Sequence, residues 1–393
     1  MSIQALPLLG GLTAEQFLSE YWQKKPLLIR GALPGFQSPV TPEDLAGLSL
    51  EEDVESRIII EQRDNNHWIL ERGPFNEHTF EELSDLNWTL LIQQLDAWAP
   101  EAHELKRQFR FIPDWRVDDI MASFAPKGGS VGPHFDFYDV FLVQAYGERR
   151  WKLGQWCDQN TETRSDTSLS ILNNFETTEE WVLHPGDILY VPPKLAHFGV
   201  AENDCITLSV GFRAPRKLEL LSSFTDYLCE HQGTSNNAFF GDPGRKPVTQ
   251  AAAIDKNDRS ALKELMLSAL EDSAIFDQWL GIYLSEPKNA ATLFPLEEDL
   301  DWQQVLQHLE QANSIYKNEG SRFLYINEDS SLIFFADGHH WELDTSDFTF
   351  IQYLCKEDEF DAQTLLTFCN KVETKELIAM LLENGSIQIE YAE

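Results

Sequence analysis

The chain has 393 residues, 42% of them hydrophobic, with 11 Trp and 25 Phe, enough to bury a large core and to exclude a disordered polypeptide; at about 150 residues per domain, two or three domains are expected. Against 30 Lys and Arg stand 65 Asp and Glu, a net charge of −35 whose field repels phosphate backbones, so direct nucleic-acid binding is excluded and a basic macromolecular partner stays in play. The five cysteines, Cys157, Cys205, Cys229, Cys355 and Cys369, are odd in number and form no Cys-x-x-Cys, and neither a signal-like N-terminus nor an apolar run of about 18 residues is found, so a soluble, cytoplasmic protein with no membrane partner is predicted.

Residues 1 to about 110 read as mixed. Helical stretches are predicted around Thr13 to Lys24 and Leu83 to Trp98, and strand-like runs at Pro26 to Arg30 and Arg57 to Ile60. From about Asp118 to Phe212 the pattern changes to short strands separated by turn residues. Strands are expected at Asp119 to Phe124, His134 to Asp136, Val140 to Ala145, Arg149 to Leu153, Trp181 to Leu183, Asp187 to Val191 and Cys205 to Phe212, with Gly128-Gly129 and Gly147-Glu148 as turns between them. Many short antiparallel strands with inward-facing ligands describe a jelly-roll barrel of the cupin kind.

After Pro215 the spacing becomes helical: Leu218, Leu221, Phe224 and Leu228, then Leu262, Leu265, Met266 and Leu270, fall near a 3.6-residue period, with a polar loop at about 233–258 between them. These helices are too few to enclose their own core, which predicts a homodimer through them. From about Thr292 come strands Arg322 to Ile326 and Ser331 to Phe335, helices Phe348 to Cys355, Ala362 to Cys369 and Thr374 to Leu382, and a last strand Ser386 to Tyr391, the order of a winged-helix-like module. Residues 292–393 carry five Lys and Arg against 21 Asp and Glu, so a protein-facing role is predicted rather than phosphate contact. The fold class expected is α+β, with domains 1–213 (catalytic roll with its N-terminal region), 214–291 (helical dimerisation) and 292–393 (acidic winged-helix-like).

The chemistry is carried by His134-Phe135-Asp136 together with His197, which ends the run Pro185-Gly186-Asp187-Ile188-Leu189-Tyr190-Val191-Pro192-Pro193-Lys194-Leu195-Ala196-His197. On a strand, residues two apart leave the same face, so His134 and Asp136 can reach one ion while His197 arrives from a neighbouring strand. Two imidazoles and a carboxylate leave open positions on an octahedral ion, the arrangement non-haem Fe(II) uses for a co-substrate and oxygen. If that co-substrate is 2-oxoglutarate, its distal carboxylate needs a cation, best a guanidinium. Arg149, Arg150 and Lys152 are candidates; alternation groups Arg149 with Trp151 and Arg150 with Lys152, and Trp151 suits an interior, which favours Arg149. The hydroxyls of Thr207 and Ser209 share one strand face and could meet the same ligand, or be ordinary small residues of a sheet.

Phe17 to Trp22, Pro26 to Arg30, Pro113-Asp114-Trp115-Arg116, Val131-Gly132-Pro133-His134-Phe135-Asp136, Tyr138-Asp139-Val140-Phe141, Gly147-Glu148-Arg149-Arg150-Trp151, Pro185 to Pro193 and Ser209 to Pro215 resemble, in order along the whole chain, the bacterial ribosomal oxygenases of the JmjC type, and among them the branch that hydroxylates an arginine of the sixteenth large-subunit ribosomal protein. The resemblance implies a JmjC double-stranded β-helix, a helical dimerisation region, a C-terminal winged helix, and dependence on Fe(II), O2 and 2-oxoglutarate. By position it makes His134, Asp136 and His197 the metal ligands and gives Arg149 the distal carboxylate. One position departs: Ala125 stands where the family pattern has serine. The expected function is hydroxylation of a residue, arginine first, in a large-subunit ribosomal protein; the alternatives are a JmjC-type protein demethylase and a non-catalytic acidic chaperone for a basic ribosomal protein. Asp118, Asp119 and Asp139, close in sequence to the ligand strands, are candidate carboxylates for the cationic substrate.

Overall fold

The structure, a computed structural model, describes residues 4–62, 67–83, 87–231, 238–296, 299–328 and 330–391. The start of the loop expected at 233–258, and residues 84–86 of the helix expected from Leu83, lie outside them. The chain divides into two compact units, Met1–Ala214 and Pro215–Glu393.

The first unit contains, in order, α1 (Ala14–Glu20), β1 (Leu27–Ile29), α2 (Pro42–Leu48), β2 (Ser56–Gln62), β3 (His67–Arg72), α3 (Glu77–Glu82), β4 (Asn87–Ile92), α4 (Pro100–Arg107), β5 (Val117–Ala125), β6 (Val140–Tyr146), β7 (Arg149–Trp156), β8 (Glu179–Leu183), β9 (Ile188–Val191), β10 (Leu195–Ala201) and β11 (Cys205–Phe212). Among the described residues the strands form an antiparallel sheet of order β1-β9-β6-β11-β5-β4-β2-β3 and a smaller one of order β10-β7-β8. Alternation along each strand decides which side a residue serves. Phe141 and Val143 of β6 and Ile206, Leu208 and Val210 of β11 turn to the outer side of the large sheet, into a core shared with Phe17, Leu45, Leu105 and Phe109. Val140 and Leu142 turn inward and pack on Trp151, Leu153, Leu183 and Leu195 of the small sheet and its edges. Because both sides of β6 are covered, its first six residues are all buried, which is why Val140 to Val143 read as a continuous apolar run before the buried Gln144. Gly147, at φ +61, makes the β6–β7 turn, where a Cβ would lie 2.0 Å from the Asp204 carbonyl oxygen.

Two expectations fail here. Among the described residues the helix expected over Leu83 to Trp98 gives way to strand β4, Asn87–Ile92, paired to β2 and β5, because Trp88 to Ile92, apolar but for Thr89, is a short run buried at every position, which periodicity alone does not separate from a helix. His134 to Asp136 is not a regular strand either. It joins the roll through one isolated bridge, His134 to His197, since Gly132 (φ +84) and Pro133 immediately before it break any longer ladder.

The second unit contains α5 (Lys217–His231), α6 (Lys256–Glu271), α7 (Ser273–Ser285), α8 (Trp302–Gln311), β12 (Ala312–Lys317), β13 (Phe323–Glu328), β14 (Ser331–Ala336), β15 (His339–Leu343), α9 (Phe348–Lys356), α10 (Ala362–Phe368), α11 (Val372–Glu383) and β16 (Ile387–Tyr391). α5 and α7 meet through Phe224, Tyr227 and Trp279. α7 also lies on β13, β14 and β15, and Gly281 permits this: a Cβ there would fall 2.2 Å from the Phe335 ring. The 291/292 boundary predicted from sequence therefore runs inside this unit. α8, α9, α10 and α11 enclose a core of Val305, Phe334, Phe350, Ile351, Leu354 and Leu377.

Candidate metal centre

The roll brings His134, Asp136 and His197 together, with one ligand atom of each within 4.8 Å of the others. His197 Nε2 lies 3.6 Å and His134 Nε2 4.0 Å from Asp136 Oδ2. The backbone locks the pair, since the His134 N–H donates to the His197 carbonyl (3.1 Å) and the His197 N–H to that of His134 (2.8 Å). Asp136 is tethered as well, its carbonyl accepting from the Lys194 N–H at 2.6 Å. Lys194 follows the Pro192-Pro193 pair in the left-handed region, φ +69, and so turns the chain from β9 into β10, where His197 stands.

Each imidazole is oriented by its far nitrogen. His134 Nδ1 is 2.9 Å from the Gly132 carbonyl and His197 Nδ1 3.1 Å from that of Leu195. A carbonyl only accepts, so Nδ1 carries the proton and Nε2 presents its lone pair to the common point. Burial, and then the neighbouring His134, push the His197 pKa down to about 4, with Asp136 opposing; the ring is therefore neutral near pH 7, the form a metal needs. Two imidazoles presenting Nε2 and a carboxylate, aimed at one point, fit a divalent non-haem iron.

Arg149 lies inward on the same floor. Its side chain is 1% exposed, Nη1 donates to Ser123 Oγ at 3.0 Å, and Nε has no partner. No ion-pair partner meets it among the described residues, and burial lowers its pKa. A guanidinium buried this way is a site for an incoming anion, because a carboxylate there would relieve the desolvation. Trp151, with its guanidinium contact at 5.2 Å and its ring 5.9 Å from that of His197, spans the distance between cation and ligands. Gly199 opposite has room for no side chain: a Cβ would sit 2.8 Å from Arg149 Nε. Arg150 and Lys152 face outward, Arg150 donating to Glu202 (2.5 Å) and Glu180 (2.6 Å), with Lys152 3.9 Å from Glu180.

Thr207 and Ser209 line the same inner face. The Thr207 hydroxyl is engaged, donating to Gln144 Oε1 at 3.1 Å, whereas Ser209 is half-buried. Ser123 and Gln144 were not singled out from sequence, although Ser123 alternates inward with Ala125 on β5 and so was available to the same reasoning. Tyr138 was also missed as a site residue; its hydroxyl lies beside Asp136, whose charge, with burial and the nearby Asp119 and Asp118, raises its pKa.

The three candidate substrate carboxylates separate. Asp118 is partly exposed, 3.7 Å from Arg213 Nε. Asp119 is buried and accepts from Gln93 Nε2 (2.6 Å) and the Gln94 N–H (3.0 Å). Asp139 must be corrected: it is wholly buried, with Oδ1 accepting from the Tyr190 hydroxyl (2.6 Å) and Oδ2 from Gln23 Nε2 (3.0 Å), and Arg116 3.6 Å away. Both oxygens are committed inside the fold, so it is a structural anchor that no substrate reaches.

Residues 104–220 match the JmjC domain and residues 268–388 the ROXA-like winged helix. Over 378 residues the chain is 36% identical to a probable ribosomal oxygenase of Haemophilus influenzae, covering 94% of this chain and 93% of that one. Over 313 residues it is 35% identical to the ribosomal protein uL16 3-hydroxylase of Escherichia coli, covering 80% and 82%. The solved structure of YcfD, a ribosomal oxygenase from E. coli, in complex with cobalt and 2-oxoglutarate superposes with a TM-score of 0.84 at 31% identity, over 96% of this chain and 98% of that one. With identity running through both units and the ligand triad assembled, the chain belongs to the JmjC-domain ribosomal oxygenases.

Proposed function

We propose that the protein is an Fe(II)- and 2-oxoglutarate-dependent hydroxylase of a large-subunit ribosomal protein, acting on an arginyl residue, with His134, Asp136 and His197 holding the iron and Arg149 the distal carboxylate of the co-substrate. The observation that carries it is the pairing of the convergent triad with a buried, uncompensated guanidinium on one floor. When bound, iron with 2-oxoglutarate and O2 supplies the oxidising power that places a hydroxyl on a C–H bond and yields succinate and carbon dioxide. The chain's own work is positioning. Arg149, steadied by Ser123, fixes one end of the co-substrate; Ser209 offers a hydroxyl on the same face; Trp151 and the apolar inner wall exclude water. The charges of Asp118, partly exposed beside Arg213, and of the buried Asp119 are felt at Tyr138 and add a negative field there, suited to a guanidinium. The relative named for uL16 3-hydroxylation supports the choice of substrate.

The protein acts as a cytoplasmic homodimer in this reading. Leu218 (75% exposed) on α5 and Met266 (77%) on α6 leave apolar surface that a second copy would cover. A demethylase would use the same centre, and an acidic chaperone would have no use for it; Arg149 buried without a counter-charge speaks against the chaperone. Intact-mass analysis of ribosomal proteins incubated with the protein, ferrous iron and 2-oxoglutarate separates the three: a gain of one oxygen supports hydroxylation, loss of a methyl group with formaldehyde supports demethylation, and no change supports the chaperone.

A further inference from the structure

The second unit carries an apolar groove of about 250 Å³, lined by Phe294, Leu296, Leu300, Tyr316, Ile389 and Tyr391 among others, with no lysine or arginine in its wall. Its size suits one large side chain: a dry cavity of about 150 Å³ already accepts benzene, and small-molecule sites begin at about 300 Å³. The wall stands open, Phe294 being 62% and Leu296 and Tyr391 each 47% exposed. It adjoins a strand edge, because β16 pairs with β12 on one side and with nothing on the other among the described residues. Along β16 burial falls from Ile387 through Ile389 to Tyr391, so one face of the strand passes from core into groove. Acids accompany the lining residues: Asp299 and Asp301 flank Leu300, and Glu383 follows Leu382, its Oε1 accepting from the Leu300 N–H at 2.6 Å, whereas Glu390 alternates to the other face of β16 and accepts from Ser314 Oγ at 2.9 Å.

We infer that this groove and the free edge of β16 dock an extended, basic protein segment carrying one large apolar side chain, which seats in the groove while the flanking lysines and arginines meet the acidic rim. Strand addition supplies backbone hydrogen bonds, the pocket supplies selectivity, and the field of residues 292–393, five cations against 21 anions, supplies attraction. Residues 292–393 of a second copy, equally acidic, would bring like charge to this groove and are disfavoured as its occupant, a limit that leaves pairing through α5 and α6 untouched, and the same field excludes nucleic acid.

Fluorescence anisotropy with the full chain and a labelled peptide of lysine, arginine and serine around one central leucine tests this without iron or turnover, so its outcome is independent of the hydroxylase reading. Saturable binding is expected, weakened about tenfold by Leu296→Asp and by Phe294→Asp, both at exposed positions, weakened similarly when the central leucine is replaced by alanine, and weakened again in high salt. Circular dichroism confirms that the variants fold. No binding by the unaltered chain overturns the inference, as does equal binding of the leucine and alanine peptides, which would leave only non-specific attraction to an acidic surface. Undiminished binding by both folded variants overturns it too.

Discussion

Arg149 is the residue whose environment asks most for a ligand. A buried cation without a counter-charge is costly to hold, and here Nε lacks any partner while Ser123 takes one hydrogen bond. Arg149→Ala is therefore expected to raise the 2-oxoglutarate KM about ten- to hundredfold, the worth of a charge-assisted hydrogen bond, with a smaller effect on the ribosomal substrate. An unchanged KM would move the role to Arg150 or Lys152, despite their outward pairing with Glu180 and Glu202. Asp139→Ala gives a contrasting result: because its carboxylate binds Tyr190 and Gln23 away from solvent, the loss should appear as a lower Tm, with substrate KM in the surviving folded protein little changed. A selective rise in substrate KM with unchanged Tm would restore the substrate-facing role.

At the scale of elements, Asp187 shows how a turn holds the roll. Burial by itself would raise its pKa, but the N–H groups of His184 and Gly31 and the Arg30 guanidinium outweigh it and leave the pKa lowered. A carboxylate with a folded-state pKa below its unfolded value, about 3.9, contributes stability that is present above that value and lost as pH falls through the folded one. The Tm gap between the unaltered chain and Asp187→Asn should accordingly be larger at pH 7 than near pH 3; a gap independent of pH would remove the ionic part of this link between β1 and β9. In the second unit, Gly281→Leu would force a side chain into the Phe335 ring and should destabilise it by about 1–3 kcal/mol or more, read by denaturant unfolding. Elements whose pattern is self-contained were legible in the sequence: β5, β7 and β11 alternate, and α9, α10 and α11 keep a helical period, so all were found within a few residues. β4 was not, because a short, wholly buried apolar run carries no period, and the His134 to Asp136 segment was not, because a single bridge held by tertiary contacts leaves no local pattern.

Over the whole molecule, the charge of −35 makes a testable kinetic statement: attraction of a basic protein to an acidic enzyme is screened beyond about 10 Å at 0.1 M salt, so the substrate KM should climb steeply with ionic strength while the KM for 2-oxoglutarate, set by a buried contact, moves little. Equal salt dependence of the two would argue against steering. Residue types and spacing pointed to the triad and Arg149 as the candidate site, with strand alternation orienting Arg149 alone; Ser123 and Gln144 became visible only when β5, β6, β7 and β11 came together, and the burial of Asp139 depends on Gln23 and Arg116, both distant in sequence. The proposed hydroxylation requires one metal gripped by His134, Asp136 and His197, and titration of the apo-protein with Co(II), followed by its visible absorption, measures that directly. One equivalent per chain is predicted for the unaltered protein, with binding lost or weakened by orders of magnitude in His134→Ala, Asp136→Ala and His197→Ala while each stays folded; stoichiometric, undiminished binding in the folded variants would contradict it.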